Sequence, residues 1–177
     1  MFTIREGRKE DCRQLVDMFA AMDAHLKSTA DPDTKWTDDP NVCVQQLEED
    51  GFCVEESQRR FRIFVAQSVA DPQTLVGYVF YFPKYSRKGR GVWMESMYVK
   101  RECRGTGAGV ALMAAVANRA LTDGCQRFEW SCREYNHGSM AFYKKLEPID
   151  VTHDDQDIVF RLNAPKMRQL AARADLS

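Results

Sequence analysis

Glu95-Ser96-Met97-Tyr98-Val99-Lys100-Arg101-Glu102-Cys103-Arg104-Gly105-Thr106-Gly107-Ala108-Gly109, continued by an alanine-rich run to Gly124, decides the fold of this 177-residue chain. The stretch reads as a strand, a short basic connector, a glycine-rich turn and a helix. Three glycines in five residues, opened by Arg104, let several backbone N–H groups converge where a Cβ would obstruct them. The following helix adds its positive N-terminal end, so the turn is a cradle for an anion such as phosphate or pyrophosphate. Val110 and Ala111 stand where a P-loop needs lysine and a hydroxyl residue. Only Ala108 separates Gly107 from Gly109, where a Rossmann fingerprint needs two residues.

Composition sets the frame for that turn. The length suits one domain over residues 1–177, and 44% apolar with 29% charged residues describe a soluble globule. A formal charge of −1 offers no general attraction to nucleic acid or to an acidic membrane surface. No apolar run is long enough to cross a membrane, and the start Met1-Phe2-Thr3-Ile4-Arg5-Glu6 lacks a signal-peptide core. Six scattered cysteines without a CxxC pair point to reduced thiols in a cytoplasmic protein and to no metal site. Cys103 stands out because it adjoins the anion turn, where a thiolate would be stabilised.

Outward from the turn, the apolar pattern orders the rest. Phe2 to Arg5 reads as a strand, and Cys12, Leu15, Val16, Met18, Phe19 and Met22 as one face of a helix from about Lys9. Asp31-Pro32 and Asp39-Pro40 break residues 28–40 into a loop, before a short helix from Val42 to Glu49. Strands follow over Phe61–Ala66, Leu75–Phe82 and Val92–Val99, the last two joined by the basic turn Ser86–Gly91. The helix after the glycines ends at Gly124, and Phe128, Trp130 and Cys132 alternate with Arg127, Glu129 and Ser131 as a strand. Asn136 can cap a helix from His137 to about Lys145. Ile158 to Leu162 reads as a last strand, and Pro165 opens a short amphipathic helix. This order argues an α/β fold, one mixed sheet covered by helices.

Arg104-Gly105-Thr106-Gly107-Ala108-Gly109 after an apolar strand resembles the Arg/Gln-x-x-Gly-x-Gly/Ala acetyl-CoA signature of the GNAT N-acetyltransferases. Tyr81-Phe82, Tyr85-Ser86 and Lys88-Gly89-Arg90 resemble the hairpin of the diamine/thialysine subgroup. Trp93-Met94-Glu95, Tyr135-Asn136 and Ala141-Phe142-Tyr143-Lys144 are similar to its Tyr-Leu-Glu-Asp, Trp-Asn and Phe-Tyr-Lys segments. The resemblance implies a mostly antiparallel central sheet flanked by helices. It implies acetyl-CoA as co-substrate, no metal, a small-molecule primary amine as acceptor, and direct attack in a ternary complex. It also implies a homodimer, with the region around Ile158–Leu162 at the contact.

N-acetylation needs an acceptor for the substrate ammonium, a donor for the oxyanion and an acid for the leaving thiolate. By resemblance, Glu95 receives the ammonium and Tyr143 is the acid, while Met97 and Val99 meet the pantetheine arm as a neighbouring strand would. A Met97 or Tyr98 N–H then faces the thioester oxygen. Arg104, Gly105, Thr106, Gly107, Ala108, Gly109 and Val110 cradle the pyrophosphate, and Asn136 and Tyr143 touch the coenzyme. A solvent-facing strand glutamate, a core aromatic and a plain N-cap would leave the same traces at Glu95, Tyr143 and Asn136.

Three departures bear on the substrate. The subgroup's Glu-Asp pair is Glu95-Ser96, an acidic position near the end of its first helix falls at about His25-Leu26, and its Gly-Ala after the tyrosine helix is Glu147-Pro148. A pocket with fewer acids holds a polycation less well. Glu129, on a strand face with Ser131, is the residue that restores negative charge for the substrate. A peptide N-acetyltransferase with a groove lined by 25–40 and 83–90, and a non-catalytic acyl-CoA-binding module, remain open beside the small-amine enzyme.

Overall fold

Alternating apolar residues lay down five strands in the computed structural model, which describes residues 1–34, 42–152, 162 and 164–171. The chain divides into two compact units, Met1–Met140 and Ala141–Ser177. The first unit holds strand β1 (Phe2–Glu6), helices α1 (Cys12–Thr29) and α2 (Val44–Gly51), then β2 (Arg62–Ser68), β3 (Leu75–Ser86) and β4 (Gly89–Val99). Helix α3 (Ala108–Thr122) and β5 (Phe128–Trp130) complete its sheet. Helix α4 (His137–Lys144) runs across the division, and α5 (Ala164–Ala171) belongs to the second unit. The predicted strand at Ile158–Leu162 lies outside the described residues except for Leu162, which is not in a strand.

The sheet order is β1-β2-β3-β4-β5. Strands β1 to β4 pair antiparallel, and β5 joins β4 parallel, with α3 as the crossover between them. Side chains alternate across the sheet, so each face takes its own helices. On one face, Cys12, Leu15, Met18 and Phe19 of α1 and Leu47 of α2 pack with Ile63, Val65 and Tyr78. On the other, α3 buries Leu112, Met113, Val116 and Ala120, recurring at three and four.

Local contacts fix both helices. Asp11 is 5% exposed and receives both Arg5 Nη1 and Nη2, at 2.7 and 2.8 Å, together with the Arg8 N–H at 2.7 Å. That bidentate pair joins β1 to the turn that starts α1. Helix α3 stops in a Schellman arrangement: Cys125 N–H reaches Ala120 O at 2.8 Å, Gly124 N–H reaches Leu121 O at 3.1 Å, and Gly124 takes φ +72°.

Two differences from the sequence patterns bear on the site. The β3–β4 hairpin is longer than expected, pairing to Ser86–Gly89, so the basic turn shrinks to Arg87-Lys88. Strand β5 ends at Trp130, not Cys132, because its pairing with β4 ends there. The reason lies in β4. Phe80 pairs with Ser96 and Tyr81 with Met94, which leaves Glu95 as the extra residue of a β-bulge.

Gly77 marks how closely β3, β4 and α3 approach one another. A Cβ there would lie 2.9 Å from Tyr98 O, 3.2 Å from Val99 Cγ2 and 3.3 Å from Leu112 Cδ1. Backbone cannot move aside as a side-chain tip can, so Gly77→Ala is expected to destabilise the protein by about 1–3 kcal/mol in urea denaturation. An unchanged midpoint would mean that β4 is not held this tightly against β3.

Candidate active site

Among the described residues, β4 beyond the bulge has a strand on only one side. Its pairing with β5 covers Val92, Trp93 and Met94 and goes no further. The Lys100 N–H donates to Val76 O at 2.9 Å, and this bond sets the phase of the antiparallel ladder. Ser96 and Tyr98 therefore point their backbone groups into β3, and Met97 and Val99 point theirs to the open side. Of the two N–H donors proposed for an oxyanion, Met97 is the one on the open side; that of Tyr98 belongs to the ladder. The Val99 carbonyl accepts from Arg104 Nε at 3.1 Å, and the Arg104 guanidinium stands 5.9 Å from the centre of the Tyr98 ring.

Val99 leads directly into the glycine turn. Gly105 and Gly107 take φ +77° and +88°, and a Cβ on either would meet nothing within 4 Å, so conformation alone calls for glycine. The Thr106 hydroxyl closes the turn on Cys103 O at 2.8 Å. Gly107 is the N-cap of α3 and brings no capping side chain. The first intrahelical bond is Ala111 N–H to Gly107 O at 3.0 Å, so the N–H groups of Ala108, Gly109 and Val110 have no acceptor within the helix. Orphan donors, a helix N-terminus and the Arg104 side chain at one open turn fit a pyrophosphate.

On the sheet face shared with Phe82, a row of polar groups crosses three strands. Phe82 pairs with Trp93, and Trp93 with Glu129. Trp93 Nε1 donates to Glu95 Oε2 at 3.1 Å, and Lys84 Nζ lies 4.9 Å from the centre of the Trp93 ring and 3.0 Å from Glu129 Oε2. Glu95 is exposed, and Ser131 is exposed just past the end of β5. The sequence offers Glu129 as negative charge for the substrate; in the structure Lys84, 45 positions earlier, pairs with it. Ser96, where the subgroup has aspartate, donates its hydroxyl to Tyr78 Oη at 3.3 Å, and burial pushes the Tyr78 phenol well above its ordinary range.

Asn136 caps α4, its Oδ1 accepting the Ser139 N–H at 3.3 Å. Tyr143 lies on the part of α4 that belongs to the second unit, half-buried and edge-on to Phe142 at 5.2 Å. In that unit Glu147 takes φ +52°, the left-handed backbone that the subgroup's glycine would adopt freely.

Two groups escaped the sequence reading. Lys84 is one. The other is a cavity of about 180 Å³ lined by Gln14, Asp17, Met18, Ala21, Tyr98 and Lys100. Gln14, Asp17 and Ala21 recur at three and seven, a stripe beside the apolar face of α1, and that was the available signal. Among the described residues no group of three or more His, Cys, Asp or Glu could hold a metal ion, and no helix is long and apolar enough to cross a membrane.

The model of the acetyltransferase (GNAT) family matches residues 22–147. The chain is 30% identical over 176 residues to a thialysine N-epsilon-acetyltransferase of Mus musculus, covering 96% of this chain and 97% of that one. A shorter likeness, 30% over 74 residues, 41% of this chain and 32% of the other, is to an L-ornithine N5-acetyltransferase of Arabidopsis thaliana. Among solved structures, an integron cassette protein from the mobile metagenome of V. cholerae superposes with a TM-score of 0.68 at 21% identity, over 96% of this chain and 97% of that one.

Because Gly107 has open space around it but a left-handed backbone, Gly107→Ala should cost about 1–2 kcal/mol from conformation alone. Calorimetric unfolding checks this, and a cost near zero would mean that the turn relaxes out of its left-handed form.

Proposed function

The chain belongs to the acetyltransferase (GNAT) family, and on that premise we propose that it transfers the acetyl group of acetyl-CoA to a primary amine of a small molecule. The observation that carries the reading is the continuity between the open backbone of Met97 and Val99 and the uncapped turn Arg104–Val110. An extended arm with amides at its centre and a pyrophosphate at its end fits that track: hydrogen bonds of strand type to β4, then an anion on a helix N-terminus. Arg104 is well placed to serve both parts, since it already bonds the Val99 carbonyl.

Acetyl-CoA supplies the activated acyl carbon; the rest falls to the chain. An alkylammonium with a pKa near 10.4 must lose a proton before its nitrogen can attack. Exposed Glu95, bulged out of the ladder and fixed by Trp93, is our residue for holding that cation and accepting its proton through water. The Met97 N–H is our donor to the oxygen that becomes negative during direct attack. Tyr143 is our acid for the departing sulfur, a phenol being protonated at neutral pH and able to give its proton to a thiolate. Asn136, whose Oδ1 serves the helix cap, keeps its amide donors for the coenzyme. The relatives named for thialysine and L-ornithine acetylation support an amino acid with a terminal amine as acceptor.

Thiol release from acetyl-CoA, screened against amino acids, polyamines and peptides, tests the reaction. Tyr143→Phe should lower turnover by about 10²–10⁴-fold while coenzyme affinity is kept. Glu95→Gln should instead raise KM for the amine and displace the alkaline-rising limb of the rate profile. Near-unchanged turnover in Tyr143→Phe would assign the acid elsewhere, and no release with any amine would leave a binding module.

A further inference from the structure

We propose that the Lys84–Glu129 pair is the seat of a zwitterionic α-amino-acid head group, the carboxylate going to Lys84 and the ammonium to Glu129. The inference rests on the reading of Glu95 as holder of the reacting amine. Lys84 on β3 lies opposite Gly91, which has no side chain to meet it, and leans along its strand over the Trp93 ring. Its ammonium is 3.0 Å from Glu129 Oε2, with the two side chains 38% and 25% exposed. Ion pairs this open contribute little to stability and part readily. A zwitterionic head group is itself a carboxylate beside an ammonium, so it can meet the pair with both charges matched and no net charge added.

Trp93 gives the ligand its direction. Its ring carries Lys84 while its Nε1 holds Glu95, so the head-group seat and the amine holder both adjoin one indole. A ligand with an apolar stem can lie along that indole, terminal amine toward Glu95 and head group toward Lys84 and Glu129. A simple diamine fares worse. Its second ammonium finds Glu129 already neutralised and Lys84 beside it, a like charge without the compensating carboxylate. Lys84 thus discriminates between two substrates that present the same amine to the reaction.

The test compares S-(2-aminoethyl)cysteine with the diamine it becomes on losing its carboxyl group, as kcat/KM on the full chain. The wild-type protein should favour the amino acid by more than tenfold, chiefly through KM. Lys84→Met keeps the apolar stem and removes the charge, and should reduce that preference by at least tenfold; Lys84→Arg should retain it. Both substrates report on the same enzyme, so a general loss of folded protein cancels from the ratio. Equal use of the two substrates by wild type, or an unaltered preference in Lys84→Met, would overturn the role of Lys84 while leaving the acetyltransferase reading in place. No thiol release with either substrate or any other amine would overturn that reading and this one together.

Discussion

A strand can share its backbone with two neighbours, and among the described residues β4 is given its second neighbour for three residues. Everything at the site depends on that shortfall. The groups of Ser96 and Tyr98 are satisfied by β3, whereas those of Met97 and Val99 must find partners elsewhere. A buried amide left without a partner is costly, so an open stretch of this kind needs water or a ligand of strand-like shape. The bulge at Glu95 coincides with the end of the pairing. One extra residue both ends the match between β4 and β5 and displaces a carboxylate from the ladder.

Electrostatics here is local. The chain is close to neutral overall, yet its charges are committed in distinct groups. Arg119 joins Glu6, Glu56 and Asp123 on the face of α3, with Arg62 sharing Glu56 and Asp123. Arg5 and Asp11 join β1 to α1. The first group sets two arginines against three carboxylates and the second one against one, and both hold elements together. Around Trp93, Lys84 is paired with Glu129, and Glu95 accepts from the indole Nε1. In the proposed reaction the Glu95 carboxylate is the charge that receives the ammonium.

Much of the fold could be read from the residues because its signals are local. The three- and four-residue recurrence in α1 and α3 and the alternation in the strands needed no tertiary information. Gly105 and Gly107 have the positive φ that their motif implied, Gly124 ends α3 as a C′ glycine does, and Asn136 caps α4 through Ser139. What escaped was pairing at a distance. No local pattern marks Glu95 as a bulge, because the residue that pairs past it, Tyr81, lies 14 positions earlier. Nor does the Phe128–Cys132 alternation tell that β5 stops at Trp130, since its neighbour decides. Glu129 read as a free charge for the same reason, its partner being on another strand.

The open stretch of β4 has a bearing on solubility. Unpaired strand backbone flanked by Met97, Tyr98 and Val99 is the kind of surface on which a second polypeptide would add itself, and proteins usually guard such edges with charge or proline. Here the open stretch is short: it begins beyond the Met94–Trp130 pair and closes at Val99, where β4 ends. An incoming chain would need a run of several residues in register, and this stretch offers it the backbone groups of Met97 and Val99. A short arm with few amides matches that length, whereas a full strand would find too few partners there.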